Sequence, residues 1–148
     1  MKLNIKFLYG GLIFLAFTFF ACAPNVSSIP EPTGEWVPVG ETQDKNIISI
    51  DTGKYSKRDV KATVWVRVDY RTPPQPKLNA SQFYAQFNCQ QETFEIYRTM
   101  QLDTQGERLE DKLVDTEAQK VAPGSIEGVV LEKVCFEHKA PEGDRKEG

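Results

Sequence analysis

The sequence predicts an α+β fold, an antiparallel β-sheet of about five to six strands with a C-terminal helix packed on it. Three observations carry that expectation. From Val60 to Tyr70, the apolar residues Val60, Ala62, Val64, Val66, Val68 and Tyr70 alternate with Lys61, Thr63, Trp65, Arg67 and Asp69. Period two is that of a strand with one buried side. Phe83, Ala85, Phe87 and Cys89 repeat the alternation, as does Thr93 to Leu102, whose Phe94, Ile96, Met100 and Leu102 are placed on one face. After Pro123-Gly124-Ser125 the spacing changes to four, in Ile126, Val130 and Val134 with Leu131 and Cys135 one step round, which describes a helix with one apolar stripe.

The other elements follow in chain order. Glu35-Trp36-Val37 opens the folded part as a short strand, and Asn46 to Asp51 forms a second ahead of the turn Asp51-Thr52-Gly53. Thr72-Pro73-Pro74-Gln75-Pro76 is a loop, because proline has no amide hydrogen to give a ladder. Asp103-Thr104-Gln105-Gly106 is a hairpin turn, and Arg108 to Val114 and Ala118 to Val121 are weaker strand candidates. Ser125 fits a helix N-cap and Glu127 suits the helix dipole, whereas Gly128 and the β-branched residues lower helix propensity, so packing must hold this helix. Trp65 lies opposite the valines of its strand. A ring of that size is expected to be covered, by the helix or by the other sheet edge, with exposure to a partner as the rival reading.

The start of the chain belongs to export. Lys2 and Lys6 precede an apolar run that ends at Ala21, before Cys22. That is the layout of a secretory signal, and Phe7 to Ala21 falls short of the ~20 residues a membrane-spanning helix needs. Phe19-Phe20-Ala21-Cys22 resembles the lipobox of bacterial lipoproteins, although Phe20 departs from the usual small residue. On that resemblance Cys22 carries a thioether to diacylglycerol and an N-acyl chain, enough lipid for lasting attachment. Ala23 resembles the residue found in lipoproteins sent on to the outer membrane; which side of that membrane the domain faces is open. Ordinary cleavage after Ala21 is the rival reading. The organisation expected is a signal peptide at 1–21, a flexible lipidated spacer at 22–34 rich in Pro and Ser, an α+β domain at 35–138 and a disordered charged tail at 139–148.

Three cysteines are an odd number, and lipid on Cys22 would leave Cys89 and Cys135 as a possible pair. Disulfides persist outside the cytoplasm. Two buried thiols are the alternative. A bond between them would staple helix to sheet.

Charge and chemistry exclude several classes. The chain carries -3, and loss of Lys2 and Lys6 leaves sixteen basic against twenty-one acidic side chains, or -5, which argues against nucleic acid. The single histidine, His138, has no catalytic partner in sight and two cysteines beside it make no zinc set, so no enzyme activity, metal or cofactor is expected. Asp103 to Glu107 lacks the spaced carboxylates of a calcium loop, and the acidic run Glu107, Glu110, Asp111, Asp115 and Glu117 reads as a solvated face.

The order of Trp36, Ile50-Asp51, Val64-Trp65-Val66, Phe87-Asn88-Cys89, Tyr97, the turn from Asp103 to Gly106, Pro123-Gly124-Ser125 and Val134-Cys135 resembles the surface-adhesin E-like family of bacterial lipoproteins. The resemblance implies a Cys89–Cys135 disulfide joining helix to sheet, often a homodimer, and an outward-facing lipoprotein that binds host matrix or plasma proteins such as vitronectin, laminin and plasminogen. Ligand binding in the family lies around the strand that enters the first disulfide cysteine. Carried over, this implicates Tyr84, Gln86 and Asn88, with Lys77 upstream and Arg98 beyond. Tyr97, opposite Ile96 and Phe94 on its own strand, is open to either reading, a covered ring or a rim contact. The strand from Gln82 to Thr93 departs from the family pattern because it holds no Lys or Arg. A periplasm-facing structural or accessory lipoprotein of an envelope complex is the alternative function.

Overall fold

The structure is a computed structural model and describes residues 29–137. Cys22, His138, the signal segment and the charged tail lie outside the described residues. In chain order come β1 (Trp36–Glu41), β2 (Ile47–Asp51), a 3-10 turn (Thr52–Lys54), β3 (Ser56–Arg58), β4 (Lys61–Asp69), β5 (Ala80–Asn88), β6 (Thr93–Leu102), β7 (Arg108–Leu113), β8 (Gln119–Lys120) and α1 (Ile126–Leu131), which widens into a π turn (Glu132–Phe136). One antiparallel sheet runs β1-β2-β4-β5-β6-β7, with β3 beside β4 and β8 beside β6.

Eight strands replace the expected five to six, for a simple reason. The sheet is six positions wide, and on each side of the long central strands the neighbouring place is shared by two short ones. β2 pairs with Val66–Asp69 of β4 while β3 takes Lys61–Thr63; β7 pairs with Arg98–Leu102 of β6 while β8 takes Thr93 and Phe94. Ser56-Lys57-Arg58 contains nothing apolar, so β3 has no period for a sequence reading to detect. Val60, assigned to the buried face of β4, instead sits exposed in the two-residue turn between β3 and β4, where Asp59 takes a positive φ.

The α1 side of the sheet is the main core. Ile48, Ile50, Ala62, Val64, Val66, Val68, Phe83, Ala85 and Phe87 meet Val130, Leu131, Val134 and Cys135. Each aliphatic side chain buried there contributes about 1.5 to 3 kcal/mol. Ser125 caps α1 by accepting a hydrogen bond from the Gly128 amide, as the spacing predicts. The far end is held by β3 and the residue before it: Lys57 Nζ donates to the Cys135 carbonyl at 2.9 Å and the Tyr55 hydroxyl to that of Val134 at 3.1 Å. These are the carbonyls that the end of a helix leaves without partners. The Cys89–Cys135 disulfide is formed and joins the end of β5 to the π turn across 46 positions of sequence.

Gly128 has a packing role besides its cost in propensity. A Cβ there would lie 2.9 Å from the Ala122 carbonyl oxygen. Alanine gains about 1 kcal/mol over glycine in an open helix, but overpacking against backbone costs about 1 to 3 kcal/mol. The expected outcome for Gly128→Ala is a net loss of about 1 kcal/mol in chemical denaturation; a gain would show that the 122–125 turn yields freely.

The opposite face is reached through one irregularity in β6. Tyr84 pairs with Arg98 but Ala85 pairs with Ile96, so Tyr97 is the extra residue of a β-bulge. The bulge inverts the alternation. Phe94 and Ile96 pack on the α1 side, whereas Met100 and Leu102 turn to the other, opposite Gln82 and Ala80, correcting the single face expected for all four. Met100, Leu102, Ala80, Leu78 and Trp65 are all buried there, with no helix above them.

Candidate functional site

Trp65 is fully buried, and its cover comes neither from the helix nor from a sheet edge. Residues 29–34, which composition assigns to a spacer, cross this face as a strap. The Trp65 indole N–H donates to the Pro30 carbonyl at 2.8 Å. Its ring packs against Tyr84, with centroids 5.4 Å apart, and the Arg98 guanidinium lies 5.8 Å from its centre. Glu31 of the strap bonds Arg98 at 2.7 Å and also Arg108. Beyond it, the amide and hydroxyl of Thr33 and the amide of Gly34 all donate to the buried Asp51 carboxylate. Proline and serine content signals the lack of a periodic element; it carries no information about hydrogen bonds to a distant tryptophan or aspartate.

Asp51 and Glu31 are both tuned by this arrangement. Burial alone raises the Asp51 carboxyl, but the hydrogen bonds from Thr33, Gly34 and Gly53 outweigh it and hold the group below the ordinary aspartate value. Glu31 follows the same pattern, burial opposing and Arg98 and Arg108 prevailing. A depressed folded-state pKa contributes stability that is present above the unfolded value, near 3.9 for aspartate, and is lost as pH falls through the folded value. Stability is therefore expected to drop as pH falls below about 4. Asp51→Asn should cost about 1 to 3 kcal/mol at neutral pH and flatten that acid limb. Urea titrations at pH 3 and pH 7 check both; an unchanged acid slope in the variant would assign the loss to other carboxylates.

The residues that the sequence singles out for partner contact are brought together on this face, in different states. Arg98 is the most committed. Its guanidinium is bidentate to Asp111, at 2.8 and 2.7 Å, as well as bonded to Glu31, and its side chain is only 11% exposed. It joins the strap to β7. Tyr97, at the bulge, donates to Glu95 at 2.6 Å, and burial together with that carboxylate pushes its hydroxyl well above the usual tyrosine range. Asn88 closes the β5–β6 turn by accepting from the Gln90 and Gln91 amides. Tyr84 and Gln86 line an open groove of about 590 Å³, whose other walls are Pro30, Ser56, Arg58, Asp59, Lys61 and Thr63. A smaller depression beyond it is lined in part by Lys61, Gln86, Asn88 and Gln91. Lys77 is exposed in the loop before β5, with positive φ.

Arg58 and Lys61 are the groove cations that sequence reasoning misses. The β5 strand lacks cations, but its neighbours supply them: register sets Lys61 opposite Asn88 and Arg58 opposite Lys61. Asp59 between the two offered a turn signal, though without a following glycine it is a weak one. Elsewhere, Asp103 Oδ1 accepts from the Gln105 and Glu107 amides, as a hairpin turn requires, and Gly106 takes the positive φ. Among the described residues no group of three or more His, Cys, Asp or Glu is placed to hold a metal, and no helix is long and apolar enough to cross a membrane.

The model of the family described as surface-adhesin protein E matches residues 36–136. The chain belongs to the surface-adhesin protein E family. Two solved structures are similar to this family member. The selenomethionine form of Haemophilus influenzae protein E aligns with a TM-score of 0.52 at 16% identity, covering 71% of this chain and 88% of that one. Crystal form II of the same protein gives 0.51 at 15% identity, covering 76% and 96%. At such identity the likeness speaks for a shared fold alone. No curated protein matches the sequence. The matched span begins at β1 and ends in the π turn, so it holds both disulfide cysteines and the β3–β5 groove, while the strap lies outside it.

Proposed function

We propose that this adhesin E family member is an outer-membrane lipoprotein that works by binding protein through the helix-free face of its sheet. Lipid on Cys22 is its anchor, and host matrix or plasma proteins are the partners proposed. Family membership from β1 to the π turn is the observation that carries this reading. The helix-free face supports it, because an open groove there is lined by polar side chains of β3, β4 and β5. Two measurements test it. Intact-mass spectrometry of native protein is expected to find acyl chains on Cys22, and proteinase added to whole cells is expected to digest the domain. Protection until the outer membrane is breached would sink the adhesin reading.

One observation favours a second reading, that of an accessory lipoprotein working beside the membrane. Hydrogen bonds hold the chain to the sheet from Pro30 onward, so Ile29 and Cys22 are separated by seven peptide units. Fully extended, these reach at most about 25 Å. A domain tethered so closely is well placed to meet an envelope complex. Co-purification with such a complex, without binding to immobilised vitronectin or laminin, would select it.

A further inference from the structure

Resting on the protein-binding reading above, we propose that the groove between β3, β4 and β5 is a site for an extended acidic peptide segment, whose carboxylates are taken by Arg58 and Lys61.

Arg58 and Lys61 are directly opposed in the β3–β4 ladder. Like charges in that relation oppose pairing, and among the described residues neither is in an ion pair, although Asp59 sits between them in sequence. On the same face Arg67 and Arg98 each have a carboxylate. The protein is acidic overall, and these two adjacent cations share one groove wall, where Asp59 is the single carboxylate beside them. They border a depression of about 590 Å³, inside the roughly 300 to 1,000 Å³ usual for ligand sites.

The floor fits a peptide. Thr63 and Gln86 face each other across β4 and β5, and Tyr84 stands next along β5 on the same side. None of their side chains forms a hydrogen bond with another described residue, so hydroxyl and amide groups remain for a peptide backbone, and the Tyr84 ring offers an apolar contact. Concavity selects against a bilayer. A flat anionic surface is met best by protruding cations, whereas cations at the wall of a groove draw a chain into it.

The test uses the full chain in mild detergent and a fluorescein-labelled octaglutamate peptide, read by polarisation. Binding is expected, weakened by salt, and weakened about tenfold or more in Arg58→Gln/Lys61→Gln. An octaglutamine control is expected to bind about tenfold more weakly than octaglutamate. Lys112→Gln, on β7, should bind like the unaltered protein. Thermal stability of the double variant should be unchanged or slightly higher, because a like-charge pair is relieved. No octaglutamate binding, or binding indifferent to the double variant, overturns the proposal, as does phosphatidylglycerol vesicle binding that depends on Arg58 and Lys61 while the peptide is ignored. The double variant is also assayed on immobilised vitronectin and laminin. If the unaltered protein binds them and the variant does so equally, the groove assignment fails and the adhesin reading stands.

Discussion

Serine in place of Cys135 is expected to lower the stability of the oxidised protein by about 4 kcal/mol. The estimate comes from chain entropy, since a cross-link that closes a loop of 46 positions restricts the unfolded ensemble that much. The folded state adds a local reason. α1 has only six residues before it widens into the π turn, too few to be stable alone, and its last carbonyls depend on Lys57 and Tyr55 being close by. Without the bond, the turn that presents those carbonyls has lost its covalent hold on β5. Urea unfolding of Cys135→Ser and of the parent protein with and without reductant checks this. Reductant should bring the parent to the level of the variant and leave the variant unmoved. A loss under about 1 kcal/mol would mean that packing of Val130, Leu131 and Val134 holds the helix without the bond.

Trp65→Ala should have an effect of similar size, about 3 to 5 kcal/mol, because it empties a fully buried site bordered by Tyr84, Arg98 and the strap. The variant that separates packing from hydrogen bonding is Trp65→Phe. It keeps a ring but removes the N–H that holds Pro30, at a cost of about 1 kcal/mol plus whatever the smaller ring forfeits in contact. Hydrogen exchange at the Thr33 and Gly34 amides reads the strap directly, since both donate to Asp51. Faster exchange in Trp65→Phe is expected if the two attachments act together. Exchange as slow as in the parent would show that Asp51 secures the strap alone.

The sequence carries the parts of this fold whose cause is local. Alternation in β4 and β5, the hairpin turn at Asp103–Gly106 and the Ser125 cap are each written in a few adjacent residues, and the structure has all three. Features with a remote cause were not legible. The bulge at Tyr97 arises from register against β5, so Met100 and Leu102 could not be separated from Phe94 and Ile96 by their own spacing. Neither could the strap be read from Pro30 to Thr33, because its anchors, Trp65 and Asp51, lie 35 and 18 positions away. The candidate site divides in the same way. Strand alternation puts Tyr84, Gln86 and Asn88 on one face and the family resemblance marks them as a site, but the cations beside them stand on β3 and at the start of β4, and only pairing brings them near.

The Cys89–Cys135 bridge spans the exposed 104–107 tip, between β6 and β7. A single clip after Gln105 would yield two fragments that each keep one of the bridged sulfurs. They would migrate together in electrophoresis until a thiol is added, and the β6–β7 ladder would keep them associated in native buffer. Any digest of whole cells therefore has to be read on reduced samples, or a domain already cut at the cell surface will pass for an untouched one.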